Sequence, residues 1–452
     1  MNHSSEAQHR RMTETPMPRL ILSLALPTVA SQLISILYNT ADTYFVSQIG
    51  TSAAAAVGVV FSLMSIIQAF GFGVGMGASS LISRCLGAKR DHDAHRYGNS
   101  AFAAALVFGF LLLVGGLLTL KPLMRLLGAT ETILPYAAAY ARYILIGAPV
   151  LCTSFVLNNI LRSEGEAVLA MVGLCTGGIL NMALDPLMIF VLDLGIAGAA
   201  IATVFSQCVS FCILLSAFLR GRSAIRLGLR WVSRDPWDYL RILRTGLPTI
   251  CRQGMASLAS ALMNVQAAAF GDAAVAAMTI SYKVYLWVRS AVIGIGQGFQ
   301  PVAGYNFGDK RYRRVREAFR FSTVLGTVVC TAAALILALH AEAVLGWFRD
   351  DGEVIRIGAQ ALRFACAVMP LLAYSTFVNQ LYQCLGFSAQ ATFLACCRQG
   401  VFYLPLILLL PALLGVTGVE ATQPAADFLT FLISIPFHIR FYRRSLPLEL
   451  DA

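Results

Sequence analysis

Long apolar runs, separated by short polar segments, recur from one end of the chain to the other. Each run reaches the roughly 20 residues that an α-helix needs to cross the hydrocarbon core of a bilayer. The pattern therefore predicts an all-α polytopic membrane protein with twelve transmembrane helices. We place these spans near residues 20–46, 53–83, 97–119, 131–161, 168–192, 196–220, 241–270, 275–305, 318–340, 354–384, 389–413 and 417–441.

The composition agrees with this interpretation. Hydrophobic residues make up 58% of the 452 residues and charged residues 13%, whereas soluble domains hold about 45–50% and about 25%. The polar N-terminal segment (1–19) ends in "MPRL", so we expect no cleavable signal peptide and a first span that enters the membrane uncut. No segment is left over for a soluble domain of any size.

The distribution of basic residues predicts the orientation. If both termini are cytoplasmic, 24 of the 34 Lys and Arg residues fall on the inner side. The outer loops carry acidic residues instead, among them Asp193, Asp272 and Glu342. The positive-inside rule therefore predicts a plasma (inner) membrane protein with both ends in the cytoplasm. The net charge of +11 is then a topology signal, and without an aromatic or Gly-rich binding pattern it does not indicate a nucleic-acid partner.

The cysteines and histidines do not indicate a catalytic centre. The eleven cysteines lie almost all within the predicted spans, which favours small packing residues over disulfides. The six histidines lie outside the spans or at their ends. A membrane enzyme acting on lipids would need a His/Asp or Ser constellation at an interface, so we expect neither an enzyme nor a cofactor.

The second half of the chain repeats the first. The two halves align at a constant offset, so that residue 25 corresponds to residue 246. "ALPTVASQ" (25–32) aligns with "GLPTICRQ" (246–253), and the offset holds as far as Gly165 and Gly386. Each half contains six predicted spans, and because six is even, both halves start on the same side of the membrane. The repeat is therefore parallel. Two such six-helix lobes around a central cleft are a transporter architecture, whereas a channel is disfavoured.

The repeat defines the expected domains. They are an N-terminal cytoplasmic tail (1–19), an N-lobe (20–220), a cytoplasmic inter-lobe linker (221–240), a C-lobe (241–441) and a C-terminal cytoplasmic tail (442–452). The linker is rich in arginine, and we expect it to contain a short interfacial helix.

The two halves differ where we expect the coupling chemistry. Asp42 and Asp185 lie within apolar spans of the N-lobe, while the repeat places Met263 and Leu406 at the corresponding positions of the C-lobe. A charged side chain at the centre of a membrane helix costs about 2.5–3.5 kcal/mol on insertion scales, so it is retained for a function. We expect the two aspartates to be that functional site.

Polar residues accompany the two acids. They are Asn181, Thr203, Tyr140 and Asn158. Oxygen atoms of carboxylates, amides and hydroxyls suit a hard cation such as Na⁺. The same group suits a proton equally well, because two carboxylates that share a site outside water readily hold one. For a single Asn or Thr in a membrane helix, the alternative is interhelical packing.

Four stretches together resemble the multidrug and toxic compound extrusion (MATE) family, most of all its prokaryotic DinF/MepA-like branch. They are "ADTYFVSQIG" (41–50), "SRCLGAKR" (83–90), "NMALDP" (181–186) and "GVEATQPAAD" (418–427). The resemblance covers nearly the whole chain. It implies a V-shaped pair of lobes that exports amphipathic, commonly cationic, compounds in exchange for H⁺ or Na⁺.

The resemblance also implies roles for individual residues. The cation site of the N-lobe would consist of Asp42, Asn181, Asp185 and Thr203, which would ligate a metal ion only if Na⁺ is the coupling ion. Tyr140 and Asn158 would belong to the surrounding hydrogen-bond network. Pro27 would be the proline at which the first span bends on protonation, and a second kink is expected at Pro186.

The substrate is expected in an adaptable cleft lined by aromatic and methionine side chains. Its contributors would be Tyr38, Gln32, Met64, Met255, Met263, Tyr282 and Lys283. The seventh span contains no acid, which argues against coupling through the C-lobe. If Lys283 faces the cleft, it weakens the expectation that substrates are cations.

We therefore expect a monomer in the lipid bilayer that exports amphipathic drugs or metabolites. The alternative is a flippase or exporter of a lipid-linked or anionic metabolite. The residues that favour this alternative are Lys283, Arg289 and Arg252.

Overall fold

A computed structural model describes residues 3–445, so residues 446–452 of the predicted C-terminal tail lie outside the described residues. Every regular element between residues 3 and 445 is helical. The α-helices are α1 (His3–Glu14), α2 (Met17–Ser47), α3 (Thr51–Gly87), α4 (Asp91–Leu118), α5 (Leu120–Leu126), α6 (Leu134–Ser163), α7 (Ala167–Pro186), α8 (Gly195–Leu219), α9 (Pro236–Ala268), α10 (Asp272–Gly308), α11 (Tyr312–Leu339), α12 (Ala341–Phe348), α13 (Gly352–Cys384), α14 (Ser388–Cys396), α15 (Tyr403–Leu414) and α16 (Val416–Ser445).

Twelve long helical segments account for the twelve predicted spans. A π-helical turn, Leu187–Val191, extends α7, and another, Cys397–Val401, joins α14 to α15. Nine of the segments within the described residues are long and apolar enough to cross a membrane. The other three, α9, α10 and α16, are equally long but carry more polar and charged residues, among them Arg252, Arg289 and Asp427. The all-α fold class is confirmed.

The chain divides into two compact units. Among the described residues, the N-terminal unit contains Ala30–Ile250 together with those up to Met12, and the C-terminal unit contains Thr13–Val29 together with those from Cys251 onwards. The first half of α2 is therefore part of the C-terminal unit. The division within α2 falls two residues after Pro27.

The internal repeat is visible in the backbone of both units. Lys89 and Lys310, which the repeat places at corresponding positions, both end a long helix in the left-handed conformation, with φ angles of 58° and 62°. Gly165 and Gly386 do the same, with φ angles of 86° and 89°. A non-glycine residue seldom adopts positive φ, so the recurrence of lysine at this position reflects a shared local structure.

Each unit is built around one buried helix. In the N-terminal unit α6 packs against α3, α4 and α8, and in the C-terminal unit α13 packs against α10, α11 and α16. Small residues allow the close crossings: Gly109 of α4 lies directly against the backbone of Pro149 in α6. The hydrophobic effect contributes little to helix association within a membrane. Close packing and interhelical hydrogen bonds therefore stabilise the bundles.

The arginine-rich linker folds as a loop against α4, and the expected interfacial helix is reduced to one 3₁₀ turn, Leu229–Trp231. Asn99 of α4 fixes the loop with both ends of its amide. Its Nδ2 atom donates to the carbonyl of Arg226 (2.9 Å), and its Oδ1 atom accepts from the backbone N–H of Gly228 (2.9 Å). Since α4 satisfies these backbone groups, the linker does not need helical hydrogen bonds of its own.

A fully buried carboxylate, Glu164, anchors the same linker to the turn between α6 and α7. Its oxygens accept hydrogen bonds from the Ser223 hydroxyl (2.8 Å) and from the backbone N–H groups of Ala224 (3.0 Å) and Ile225 (3.1 Å). Gln8 of α1 donates to the backbone carbonyl of Glu164. Burial raises the pKa of Glu164 from 4.5 to about 7, and the three donors oppose this rise only in part.

The elevated pKa predicts a pH dependence of stability. Because the folded protein binds the Glu164 proton more tightly than the unfolded chain does, this residue's contribution to stability is complete below about pH 4.5 and is lost as the pH rises through about 7. We expect the melting temperature of the purified protein to fall more between pH 5 and pH 8 in the wild type than in Glu164→Gln. Glu131→Gln, which makes the same change at an exposed acid of the same unit, is the control and should keep the wild-type profile. Parallel wild-type and Glu164→Gln profiles would contradict this prediction.

Candidate cation site in the N-terminal unit

Asp185 lies where regular helix ends in α7. Pro186 has no N–H group to donate, and the chain continues as the π-helical turn Leu187–Val191. Such turns are frequent at functional sites. Asp185 is fully buried, and its Oδ1 atom accepts a hydrogen bond from the Nδ2 atom of Asn181 at 3.1 Å. The spacing of four residues places both side chains on one face of α7.

Thr203 of α8 completes the group on its other side. The Nδ2 atom of Asn181 is 3.3 Å from the Thr203 hydroxyl, which itself donates to the carbonyl of Ala199 at 3.0 Å. The hydroxyl proton is therefore used within α8. The oxygen lone pairs of Thr203 are directed away from its own helix and toward the amide.

Asp42 and Tyr140 bring two further helices to this group. Tyr140 of α6 lies within electrostatic range of Asp42 of α2 and of Asp185, and Asp42 lies within electrostatic range of Asp185. Tyr38, one turn before Asp42, packs its ring against Gly178 of α7. A Cβ atom at position 178 would lie 2.9 Å from Cδ1 of Tyr38, so a larger residue there would force the Tyr38 side chain to move.

Four oxygen atoms of the group are buried without a hydrogen-bond partner among the described residues. They are Asp42 Oδ1, Asp185 Oδ2, Asn181 Oδ1 and the Tyr140 hydroxyl. An unsatisfied buried polar group costs about 1–3 kcal/mol. Since lone pairs predominate, the arrangement suits the binding of a small cation: two carboxylates, an amide oxygen and hydroxyls can ligate Na⁺, and either carboxylate can take a proton.

Asn158 makes a different contact. Its Nδ2 atom donates to the carbonyl of Ala170 at 2.8 Å, and its repeat partner Asn379 donates to Ala391 at 2.6 Å. The two acceptors, Ala170 and Ala391, also correspond to each other in the repeat. The C-terminal unit has the same bond but apolar residues, Met263 and Leu406, at the positions that correspond to Asp42 and Asp185, so this bond fits a helix-packing role shared by both units.

This symmetry leads to a prediction for Asn158. Asn158→Leu and Asn379→Leu should each lower the stability of the protein by about 1 kcal/mol, the net value of one hydrogen bond. Neither should change which ion gradient drives transport. Melting curves and dye-flux assays on the two variants test this. If Asn158→Leu alone abolished the ion dependence, Asn158 would belong to the cation site.

Outside this group, the described structure offers few side chains that could bind a cation. Among residues 3–445, no cluster of three or more His, Cys, Asp or Glu side chains is placed to hold a metal ion. All eleven cysteines are free thiols in the structure. The two-carboxylate group of the N-terminal unit is thus the arrangement in the described structure that best fits a monovalent cation or a proton.

The residues expected to line a substrate cleft are distributed over both units. In the N-terminal unit Tyr38, Gln32 and Met64 are partly buried. In the C-terminal unit Met255 contacts Gly400, and Tyr282 packs against the apolar cluster that contains Met263 and Tyr403; Lys283 is exposed. Met263 is 5% exposed, so it is a core residue of its unit.

The sequence reasoning missed one intramembrane charge. Arg398 lies in the π-helical turn Cys397–Val401 and pairs with Asp427 of α16, with 2.7 Å between Nε and Oδ1. Averaging hydropathy over a whole span concealed a single arginine among apolar neighbours. The repeat offset gives the missing signal, because the corresponding residue of the first half is Gly177.

Two repeated helical bundles, one of which carries the neighbouring carboxylates Asp42 and Asp185, are an architecture typical of a secondary transporter. The model of the MatE family matches residues 27–187 and 248–409, two segments that begin at the corresponding prolines Pro27 and Pro248. The chain therefore belongs to the MatE family, whose members are transporters and not enzymes.

Named relatives agree with this assignment. The chain is 24% identical over 402 residues to the multidrug export protein MepA of Staphylococcus saprophyticus, with 88% of each chain covered. It is 24% identical over 426 residues to MepA of Staphylococcus aureus strain NCTC 8325, with 93% of each covered. A solved outward-facing multidrug resistance MATE transporter of the MOP superfamily superimposes with a TM-score of 0.91 at 25% identity, over 96% of this chain and 97% of that one. The predictions of the MATE family and of its twelve-helix fold are confirmed, and the chain is a multi-pass membrane protein.

Proposed function

We propose that this protein is a secondary active antiporter that exports amphipathic small molecules, cations among them, in exchange for H⁺ or Na⁺. The observation that carries the proposal is the pair of neighbouring carboxylates, Asp42 and Asp185, surrounded by unpartnered oxygen atoms. Apolar residues stand at both corresponding positions of the other half. The names of the MepA relatives support multidrug export.

The coupling step follows from charge. In the outward-open state a proton or Na⁺ binds at Asp42 and Asp185 and reduces their repulsion. The first span then bends at Pro27, and the space that holds the substrate closes. Substrate leaves outward, the lobes rock inward, and the cation escapes to the cytoplasm. Coupling requires that cation and substrate prefer opposite states, since each shifts the equilibrium only by its differential affinity.

The proposed setting is the inner membrane, with both termini in the cytoplasm and one chain acting alone. The twelve spans form lobes of residues 20–220 and 241–441, joined by the linker 221–240. The concentration of Lys and Arg in alternate loops supports this orientation.

Purified protein in liposomes preloaded with the cationic dye rhodamine 123 tests the proposal. Dye flux is followed under a pH gradient alone and then under a Na⁺ gradient alone, with protein-free liposomes as the control. We expect one gradient to drive flux, and that gradient identifies the coupling ion. If neither gradient moves dye above the protein-free rate, the antiport proposal fails and export of a lipid-linked or anionic metabolite is favoured instead.

A further inference from the structure

Three arginines of the C-terminal unit lie near the middle of membrane segments. They are Arg252 of α9, Arg289 of α10 and Arg398 of the π-helical turn Cys397–Val401. Arg289 is buried, and Arg252 and Arg398 are partly buried. Each lies within electrostatic range of the other two. Guanidinium groups remain charged under all ordinary conditions, so this unit holds three positive charges in a region where a single charge is already costly.

One acid, Asp427, neutralises only one of them. Its carboxylate accepts hydrogen bonds from Arg398 (2.7 Å), from the Tyr285 hydroxyl (2.8 Å) and from the Nε2 atom of Gln423 (3.0 Å). Arg398 also donates to the Tyr285 hydroxyl. Asp427 and Arg398 thus form a fully hydrogen-bonded pair that leaves two positive charges unbalanced.

Arg289 and Arg252 are the unbalanced charges. Arg289 is only 7% exposed, and its Nε atom has no hydrogen-bond partner in the described part of the chain. Neither arginine forms an ion pair with any residue that the structure describes. A buried charge without a partner is strongly destabilising, so a folded protein that retains one has a use for it.

The repeat argues against a scaffold role for these arginines. The residues corresponding to Arg252, Arg289 and Arg398 in the N-terminal unit are Ser31, Gln68 and Gly177. The same helical framework therefore forms in one half without any of these charges. The two halves each carry a charged group that the other half does not have, acidic in the N-terminal unit and basic in the C-terminal unit.

The surroundings indicate what kind of ligand fits. A guanidinium group matches the planar geometry of a carboxylate with two parallel hydrogen bonds. Tyr282 and Tyr285 stack with their ring centroids 6.2 Å apart, and both lie within electrostatic range of Arg289. Tyr282 also packs against the apolar cluster that contains Tyr403. Aromatic rings beside unpaired arginines suit an amphipathic molecule that carries an aromatic system and an acidic group.

We propose that Arg289 and Arg252 form an anion subsite in the C-terminal unit that binds the carboxylate of an amphipathic aromatic substrate. This inference rests on the proposed export function and assigns recognition of the acidic group of a substrate to the C-terminal unit. The oxyanion could come from the exported molecule or from the phosphate of a lipid headgroup, and we assign it to the exported molecule.

A matched pair of dyes tests the subsite. Rhodamine 110 carries a free carboxylate, and rhodamine 123 is its methyl ester, so the two differ only in the acidic group. Binding of each dye to the full-length protein in phosphatidylcholine nanodiscs is measured by fluorescence anisotropy. We expect Arg289→Gln to weaken rhodamine 110 binding about ten- to hundredfold, the value of a hydrogen bond to a charged group. Its affinity for rhodamine 123 should change less than about twofold.

Two controls separate binding from folding. Arg363→Gln makes the same chemical change at a surface arginine of the same unit, which is paired with Glu342 at 2.9 Å, and should leave both affinities unchanged. Arg289→Gln should not lower the melting temperature, because it removes a buried charge that has no partner. The proposal would be overturned if Arg289→Gln lost affinity for both dyes equally, or lost affinity for neither.

The source of the oxyanion and the export function are tested in the same system. In nanodiscs containing phosphatidylglycerol, rhodamine 110 affinity should stay within about twofold. If this lipid competes with the dye in the wild type but not in Arg289→Gln, the site binds lipid phosphate and our assignment to a substrate is wrong. Failure of gradient-driven rhodamine 123 flux would count against the export function alone, because the Arg289-dependent preference for the acid is measured at equilibrium.

Discussion

Replacing Asp185 by asparagine is expected to reduce gradient-driven dye export about ten- to hundredfold, the consequence of losing a charged partner at a buried site. Asparagine has nearly the same shape and still offers an oxygen to the Nδ2 atom of Asn181, which is 3.1 Å from Asp185. It carries no charge and takes up no proton. The variant should therefore fold normally, bind dye and fail to exploit the ion gradient.

The measurement is dye flux in liposomes under the gradient that drives the wild type. Glu131→Gln is the matched control, because it makes the same acid-to-amide change at an exposed residue of the same unit that pairs with Arg125. Asp42→Asn should behave like Asp185→Asn. If Asp185→Asn retained full gradient-driven flux, the cation site would have to lie elsewhere.

A second readout does not depend on transport. If Na⁺ is the coupling ion, wild-type protein should bind ²²Na⁺ and Asp185→Asn should not. If the proton is the coupling ion, the wild type should release protons into weakly buffered solution when dye binds, and the variant should release none. A transport defect with unchanged ion binding would assign Asp185 a structural role.

The fold followed from the sequence because two signals extend over the whole chain. Twelve long apolar runs predicted the twelve long helical segments, and the constant offset between the halves predicted the repeat, which the structure displays in the matching left-handed Lys89 and Lys310. The arginine-rich linker was less predictable. Its conformation depends on side chains distant in sequence, such as Asn99 and Glu164, which bind its backbone and replace helical hydrogen bonds.

Spacing made part of the candidate site predictable. Asn181 and Asp185 share a face of one helix, and Thr203 follows in the adjacent helix, so proximity in sequence became proximity in space. Asn158 looked the same in the sequence but bonds to Ala170. Residue type alone cannot distinguish an amide that faces an acid from one that faces a carbonyl. Asn379, at the corresponding position of the other half, makes the same bond to a carbonyl and so distinguishes the two cases for Asn158.

The charges of the C-terminal unit were harder to recognise because they come from four separated segments. Arg398 and Asp427 are 29 residues apart, and they meet only because the π-helical turn and α16 pack together. Asp427 lies near the start of the last predicted span. In the described part of the chain, Asp427 is the one acid that forms an ion pair with a member of the group Arg252, Arg289 and Arg398.

Because three arginines share the single acid Asp427, loss of that acid should strongly destabilise the C-terminal unit. Asp427→Asn leaves all three arginines without an anion, so we expect it to lower the free energy of unfolding by about 3–5 kcal/mol, the cost of breaking a buried ion pair. Arg398→Gln should cost less, because Asp427 then remains within electrostatic range of Arg289. Unfolding by SDS titration in detergent micelles measures both changes.

The order of the two losses tests whether the arginines share one acid. In an isolated ion pair, removing either partner leaves one uncompensated charge, so the two costs are similar. In a group of three cations and one anion, the anion is the scarce component, and losing it costs more than losing any one cation. The control is the double variant Arg398→Met with Asp427→Leu, in which the pair is replaced by apolar side chains. It should recover part of the loss caused by Asp427→Asn. If Arg398→Gln proved as destabilising as Asp427→Asn, Arg289 would lie outside the influence of Asp427, and the group would reduce to an isolated pair.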